Sequence, residues 1–134
     1  MKLEELMAVS GLPGLYKVAS NRPNGLIIED LDNGKKRFAS MRKHQFSPLE
    51  TIAIFTITDS VPLTEVLRKM HTIKDSNPPV STKVKHDELR KYFSTVLPDH
   101  DPSRVYPKDI IKIIKWFHFL SDRNLLSTPT DEEE

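Results

Sequence analysis

Runs of alternating apolar and polar residues in the first half of the chain predict a small β region. Asn33-Gly34 reads as a two-residue turn, since Asn-Gly between such runs is the strongest short-range hairpin signal. The last expected strand is apolar on both sides, so both of its faces should be covered. Four strands are expected, at residues 14–20, 25–31, 35–40 and 50–57.

Helices with one apolar face are expected on both sides of these strands. Residues 2–9 carry three apolar side chains on one helical face, and Gly11 would end that helix. Residues 61–70 have apolar positions at i, i+3, i+4 and i+7, which predicts a helix that covers the last strand. Residues 1–72 are therefore expected to form an α+β domain. An SH3-like β-barrel is the first choice, and a bent sheet with helices is the alternative.

The second half of the chain is predicted to be helical. Residues 73–85 hold two adjacent prolines among small polar residues, which predicts an exposed linker. Periodic apolar positions resume at 87–97 and 107–124. The loop between these segments is short, so a helical hairpin is expected as a second domain, residues 86–125. The acidic run at 126–134 is expected to be a disordered tail.

Composition adds limits on compartment and chemistry. The 134 residues are 37% hydrophobic and 29% charged, with a net charge of +1 and no cysteine. A chain without cysteine has no disulfide framework and no thiolate catalysis, and it suits a reducing compartment. No apolar run approaches the roughly 20 residues that a membrane span needs. We therefore expect a cytoplasmic protein that does not enter a membrane.

The sequence motifs of common enzymes and metal sites are absent. The chain contains no nucleophile elbow and no glycine-rich phosphate loop. Its five histidines do not have the spacing of metal ligands. Asp99, Asp101 and Ser103 match the first ligand positions of a calcium loop. However, Arg104 and Ile110 stand where that loop needs glycine and glutamate. These aspartates are expected in turns and caps instead. We predict no catalytic residue, metal ligand or cofactor.

One basic segment has the composition of a nucleic-acid site. Phe38 and Phe46 interleave with cations, and on a small β domain such cations could bind phosphates while a ring stacks on a base. The sequence favours another interpretation, in which the lysines protect a strand edge and both rings are core. The candidate ligand-binding residues are Lys35, Lys36, Arg37, Arg42 and Lys43.

The predicted helix at 107–124 carries more apolar surface than one partner helix covers. Its apolar side chains span roughly 160° of the helix at 100° per residue. An exposed patch of that size is uncommon on a monomer. We therefore expect Ile111, Trp116 and Phe119 at an interface, either with a second copy of the chain in a homodimer or with the N-terminal domain.

Five longer motifs resemble a family of uncharacterised bacterial proteins, chiefly from Bacteroidetes. The resemblance extends to about Leu125 and implies a small β domain followed by a helical domain. It supplies no established activity, cofactor or catalytic residue. The motifs are L-x-x-L-M-x-V-S-G-x-P-G-L-Y-K (3–17), L-D-x-G-K-K-R-F (31–38), F-S-x-L-E-x-I-x-I (46–54), V-P-L-x-E-V-L-x-K-M (61–70) and L-P-D-x-D-x-x-R-V-Y (97–106).

Three functions are compatible with these features. The first is a non-enzymatic binding or scaffold module with a protein partner, because small β domains bind through loops and strand edges. The second is an RNA- or DNA-binding accessory protein that uses residues 35–44. The third is an enzyme without a recognisable motif.

Overall fold

A computed structural model of the chain describes residues 3–126 and shows a mixed α+β protein, as predicted. Its contacts divide the chain into two compact units, Met1–Ile52 and Ala53–Glu134. We call them the sheet unit and the helical unit. The predicted acidic tail lies outside the described residues, except that its first residue, Leu126, is buried.

Five antiparallel strands form the sheet unit. They are β1 Leu6–Val9, β2 Tyr16–Arg22, β3 Gly25–Asp30, β4 Lys36–Ser40 and β5 Phe46–Pro48. Their order across the sheet is β4-β3-β2-β1-β5. No pairing joins the edge strands β4 and β5 in the described part of the chain. The predicted SH3-like barrel is therefore not closed, and the predicted alternative, a bent sheet with helices, is matched here only in having an unclosed sheet.

The segment predicted as a helix over residues 2–9 forms a short 3-10 turn, Leu3–Glu5, and then strand β1. β1 lies between β2 and β5, where Met7 is opposite both Tyr16 and Pro48. The helix prediction is wrong because hydrogen bonds to strands distant in sequence outweigh the periodicity of so short a segment.

The connection between β3 and β4 is longer than the two-residue turn predicted at Asn33-Gly34. The N–H of Asp30 donates to the carbonyl of Lys35 at 2.9 Å, so residues 31–34 all lie in the loop. The Asp30 carboxylate accepts from the N–H of Asp32 at 2.7 Å. Gly34 has a φ of 69°, a left-handed conformation that glycine adopts without steric cost. The predicted turn therefore occurs here, but its predicted length is wrong.

Two short strands and three helices form the helical unit. They are β6 Ala53–Phe55, β7 Ser60–Pro62, α1 Leu63–Ile73, α2 His86–Val96 and α3 Pro107–Asp122. β6 pairs with β7, and α1 contacts β7, α2 and α3. The helices predicted at 61–70, 87–97 and 107–124 are confirmed, with ends shifted by a few residues. Their buried side chains include Leu67, Met70, Phe93, Ile110 and Ile114.

The strand predicted at residues 50–57 is interrupted, and its two faces are not both covered. Leu49–Thr51 is a 3-10 turn, and only Ala53–Phe55 is a strand. Beyond it the chain reverses, since the N–H of Thr56 donates to the carbonyl of Asp59 at 2.9 Å. This turn pairs β6 with β7 instead of with the five-stranded sheet. Phe55 is 42% exposed and Ile57 68% exposed, so the prediction of a covered face is wrong.

The division between the units lies at residue 52, whereas the sequence analysis placed it at residue 72. The difference arises because α1, which was expected to cover the last predicted strand of the first domain, contacts α2 and α3 and belongs to the helical unit. The predicted linker at 73–85 consequently joins helices of one unit. Its exposure to protease stays a prediction.

We expect trypsin to cut this segment first, after the exposed Lys83 or Lys85. The two fragments should still co-elute in size-exclusion chromatography, because α1 buries Val66, Leu67 and Met70. Burial of each such side chain is worth about 1.5–3 kcal/mol. A Lys83→Gln, Lys85→Gln variant serves as control and should lose the early cut. Fragments that separate without denaturant would contradict the packing of α1 and support a boundary near residue 72.

Candidate functional site

The alternation of side chains along β4 places Phe38 on the solvent side of the sheet. Ala39 is buried in a core cluster with Val9 and Ile28. Successive side chains of a strand point to opposite faces, so Phe38 points away from this core. Its side chain is 45% exposed. The interpretation of Phe38 as a core residue is therefore wrong, whereas Phe46 does pack against the cluster.

The pairing register gives the surface around Phe38 a regular layout, which we call the outer face. It consists of three rows across β2, β3 and β4. An irregularity at Ala19, between Val18 and Ser20, lets β2 keep both Lys17 and Ser20 on this side of the sheet. The rows are Lys17, Glu29 and Lys36; Ser20, Ile27 and Phe38; and Arg22, Gly25 and Ser40.

The Phe38 ring extends over Gly25. A Cβ atom added to Gly25 would lie 2.9 Å from Cζ of Phe38 and 2.1 Å from the carbonyl oxygen of Ala39. Real Cβ contacts are longer than either distance, so only glycine leaves room for the ring and for the neighbouring strand. An aromatic ring over a strand glycine covers exposed backbone on one side. The exposed part of the Phe38 ring stays available for contact.

Positive charge predominates on the outer face. Its rows hold three cations, Lys17, Arg22 and Lys36, against one carboxylate, Glu29, which gives a net charge of +2. The carboxylate of Asp30, at the end of β3, accepts hydrogen bonds from backbone N–H groups of the adjoining loop. The outer face is therefore complementary to an anionic ligand.

The five predicted binding residues do not form one continuous patch. Lys35 and Lys36 lie at one end of β4, and Arg42 and Lys43 lie in the turn beyond its other end. This turn is held by Ser40, whose carbonyl accepts from the N–H of Lys43 at 3.2 Å. Arg37 pairs with the buried Ile28 and so lies on the opposite face from Phe38.

The predicted interface residues of α3 are each half-buried. The guanidinium carbon of Arg123 lies 3.7 Å from the centroid of the Phe119 ring, and Nζ of Lys112 lies 6.0 Å from that of Trp116. Within the helical unit, α1 contacts α3, as α2 does. The predicted hairpin had only one helix to cover the apolar side of α3, so α1 covers additional apolar surface. Self-association through Ile111, Trp116 and Phe119 stays a prediction.

A second exposed apolar surface, around Phe55 and Ile57, escaped the sequence analysis. The loop after α2 forms hydrogen bonds with the end of β6 and the residues beyond it. The N–H of Asp101 donates to the carbonyl of Phe55 at 2.9 Å. The N–H of Ile57 donates to the carbonyl of Asp99, also at 2.9 Å. Arg104 from the same loop lies over the Phe55 ring, with 4.4 Å from guanidinium carbon to ring centroid.

Asp101 organises this loop, as predicted for a turn residue. Its Oδ1 accepts from the N–H and the hydroxyl of Ser103 at 2.9 and 2.6 Å, and its Oδ2 accepts from Nε of Arg104 at 2.9 Å. The hydrogen bonds from Ser103, followed by that from Arg104, lower the pKa of Asp101 to about 2. Within residues 3–126 no group of three or more metal-ligating side chains surrounds an ion-sized space.

The lowered pKa of Asp101 predicts a specific pH dependence. The stability that this carboxylate contributes is present above its ordinary pKa of 3.8 and is lost as pH falls through about 2. A carbon-13 NMR titration of the side-chain carboxyl should show the low midpoint. Ser103→Ala should raise it, because this variant removes the hydroxyl donor, while Ser94→Ala in α2 should leave it unchanged. A midpoint at 3.8 in the wild type would contradict the geometry.

The predicted homodimer can be tested by analytical ultracentrifugation. We expect the wild type to sediment as a dimer at high concentration and Phe119→Lys to sediment as a monomer, because a lysine at a desolvated interface is costly. Phe55→Lys changes an exposed phenylalanine elsewhere in the same unit and serves as control. A wild type that is monomeric throughout would remove the dimer.

Comparisons with known proteins fit the two-unit architecture. Residues 52–120 match the model of a domain of unknown function (DUF6852), and residues 3–49 match that of another domain of unknown function (DUF5606). The two matches meet where the contacts divide the sheet unit from the helical unit. In the described part of the chain no helix has the length and hydrophobicity to cross a membrane.

A solution NMR structure of a Bacteroides vulgatus protein, determined as a structural-genomics target, resembles the whole chain. It is 35% identical, with a TM-score of 0.73 over 93% of this chain and 89% of that chain. No curated protein matches. As the sequence motifs indicated, the chain belongs to an uncharacterised Bacteroidetes-type family, the one defined by the domain of unknown function DUF6852.

Proposed function

We propose that the chain is a non-enzymatic binding module and that its partner binds to the outer face of β2, β3 and β4. The observation that carries this proposal is the position of Phe38. Its ring is almost half exposed in the middle row of an open sheet, with Lys17, Arg22 and Lys36 in the rows on either side. Aromatic residues are enriched at the centres of binding surfaces, and polar residues surround them at the rim.

Protection of the sheet edge accounts for only part of this arrangement. Lys36 and Arg37 on the edge strand β4 would discourage pairing with another chain, as the sequence analysis suggested. A large apolar ring on the solvent face adds nothing to that protection. Its approach to Gly25 through Cζ still leaves Phe38 45% exposed. A partner that covers the exposed side accounts for both the ring and the cations.

Binding is also favoured over catalysis by where the unusual titrating groups lie. Tyr92, whose pKa burial raises to about 12, and Asp101, whose pKa is lowered to about 2, both belong to the helical unit. The Tyr92 hydroxyl is protonated at neutral pH, as an ordinary tyrosine is, and burial moves its pKa further from neutrality. The Asp101 carboxylate is engaged by the turn that it organises. Neither arrangement supplies an acid or base poised to titrate near neutral pH.

The proposal predicts that removal of the Phe38 ring weakens partner binding and leaves the fold intact. The tagged full-length chain would be used to capture partners from lysate, in parallel with Phe38→Ser and Phe55→Ser. Phe55 is a matched control because its exposure, 42%, is close to that of Phe38. A hot-spot side chain contributes about 2 kcal/mol or more, so Phe38→Ser should reduce capture roughly 30-fold.

Circular dichroism would confirm that Phe38→Ser is folded, and Lys17→Glu with Lys36→Glu would test the same surface without changing the ring. Partners lost with both outer-face variants and kept with Phe55→Ser support the proposal. An identical set of partners from wild type and both folded outer-face variants would show that this surface is not the binding site.

A further inference from the structure

We infer that the ligand of the outer face is a single-stranded nucleic acid, an inference that rests on the proposed binding function of this face. The charge of the surface around Phe38 supports this inference. The outer face carries a net charge of +2, and Lys35, Arg42 and Lys43 add cations at the two ends of β4. Cations at both ends of an aromatic centre suit a ligand with regularly repeated negative charge.

The second argument is the access to the Phe38 ring. The middle row pairs Ser20, Ile27 and Phe38, so the ring stands on a sheet surface with an apolar neighbour and a small hydroxyl beside it. Bases of a single strand stack on such rings, and stacking tolerates any base sequence. In a duplex the base faces are already stacked on one another. A ring in this position therefore selects single strands over duplexes.

The length of β4 sets the distance between the cations at its two ends. The five residues of β4, from Lys36 to Ser40, are separated by four steps of about 3.3 Å and so span roughly 13 Å. The cations at the two ends of β4 can contact phosphates on either side of a base that stacks on Phe38. A surface of this length holds about four nucleotides, the lower end of the range for small β domains that bind single strands.

An acidic peptide explains the same features less completely. A peptide could pair with the free edge of β4 by strand addition, and its carboxylates could meet Lys35 and Lys36. Strand addition uses the backbone of the edge strand and leaves the outer side of the Phe38 ring unused. Dependence of binding on the aromatic ring thus separates the two kinds of ligand.

The test is fluorescence anisotropy of the full-length chain with three labelled probes: a twelve-nucleotide deoxythymidine strand, a twelve-base-pair duplex and a twelve-residue polyglutamate peptide. We expect the single strand to bind most tightly. Phe38→Leu keeps an apolar side chain over Gly25 but removes the ring, so it should weaken single-strand binding about tenfold. Its salt dependence should be unchanged, and Phe55→Leu should bind as the wild type does.

The phosphate contacts are tested separately by Lys36→Glu with Lys43→Glu, one change at each end of β4. Each phosphate contact to a single strand contributes about −0.7 to the slope of log K against log salt. The double variant should therefore bind more weakly and should flatten the slope by about 1.4. Thermal unfolding of each variant would confirm that it is folded under the assay conditions.

The outcomes separate this inference from the proposed function. Equal binding of duplex and single strand, indifference to Phe38→Leu, or stronger binding of polyglutamate would each overturn single-strand recognition. If no probe binds while capture from lysate still depends on Phe38, the inference fails and the proposed function stands. If capture is independent of Phe38 as well, both fail.

Discussion

The register between β3 and β4 is the constraint on which the sheet unit depends. It sets Ala39 opposite Leu26 and Phe38 opposite Ile27. A slip of one residue would exchange the two faces of β4 and would bring Phe38 into the core in place of Ala39. Hydrogen bonds at both ends oppose such a slip. Asp30 donates to Lys35 at 2.9 Å at one end, and Met41 donates to the carbonyl of Asn24 at 2.9 Å at the other.

Close approach of the strands at Gly25 reinforces this register. The space where a side chain at Gly25 would lie is taken by the Ala39 carbonyl and the Phe38 ring. A different pairing would remove the Phe38 ring and the Ala39 carbonyl from the space beside Gly25. The burial of Ala39 in the core and the exposure of Phe38 on the outer face both follow from this register.

Local chemistry made much of this fold predictable from the sequence. β2, β3 and β4 were found because turn residues separate them, and α1, α2 and α3 because their apolar periods are complete. β1 and β5 were missed because their pairing is non-local. Val9 of β1 is opposite Phe46 of β5, so these two strands form only when residues far apart in the sequence come together. A short apolar segment alone does not reveal such a partner.

The exposure of Phe38 was predictable in principle. In β3, Leu26 and Ile28 alternate with Gly25, Ile27 and Glu29, so the first pair marks the core face. The pairing of β3 with β4 then transfers that assignment to Ala39. The basic segment at residues 35–44 does not show this by itself, because the assignment needs the alternation of side chains across the hairpin. That step needs only the alternation, because the predicted two-residue turn differs from the observed register by two residues and would also set Ala39 on the core face.

Comparison of the two exposed phenylalanines shows why exposure alone does not identify a binding surface. Phe55 and Phe38 are similarly exposed, but a guanidinium covers the Phe55 ring, and Asp101 holds that guanidinium in place. A cation in this position occupies the ring face and would compete with a ligand for that face. In the described part of the chain no cation lies over Phe38, and its nearest cations stand in adjacent rows or at the ends of β4. Phe38 therefore offers a free ring face between charges, whereas the face of Phe55 is already occupied.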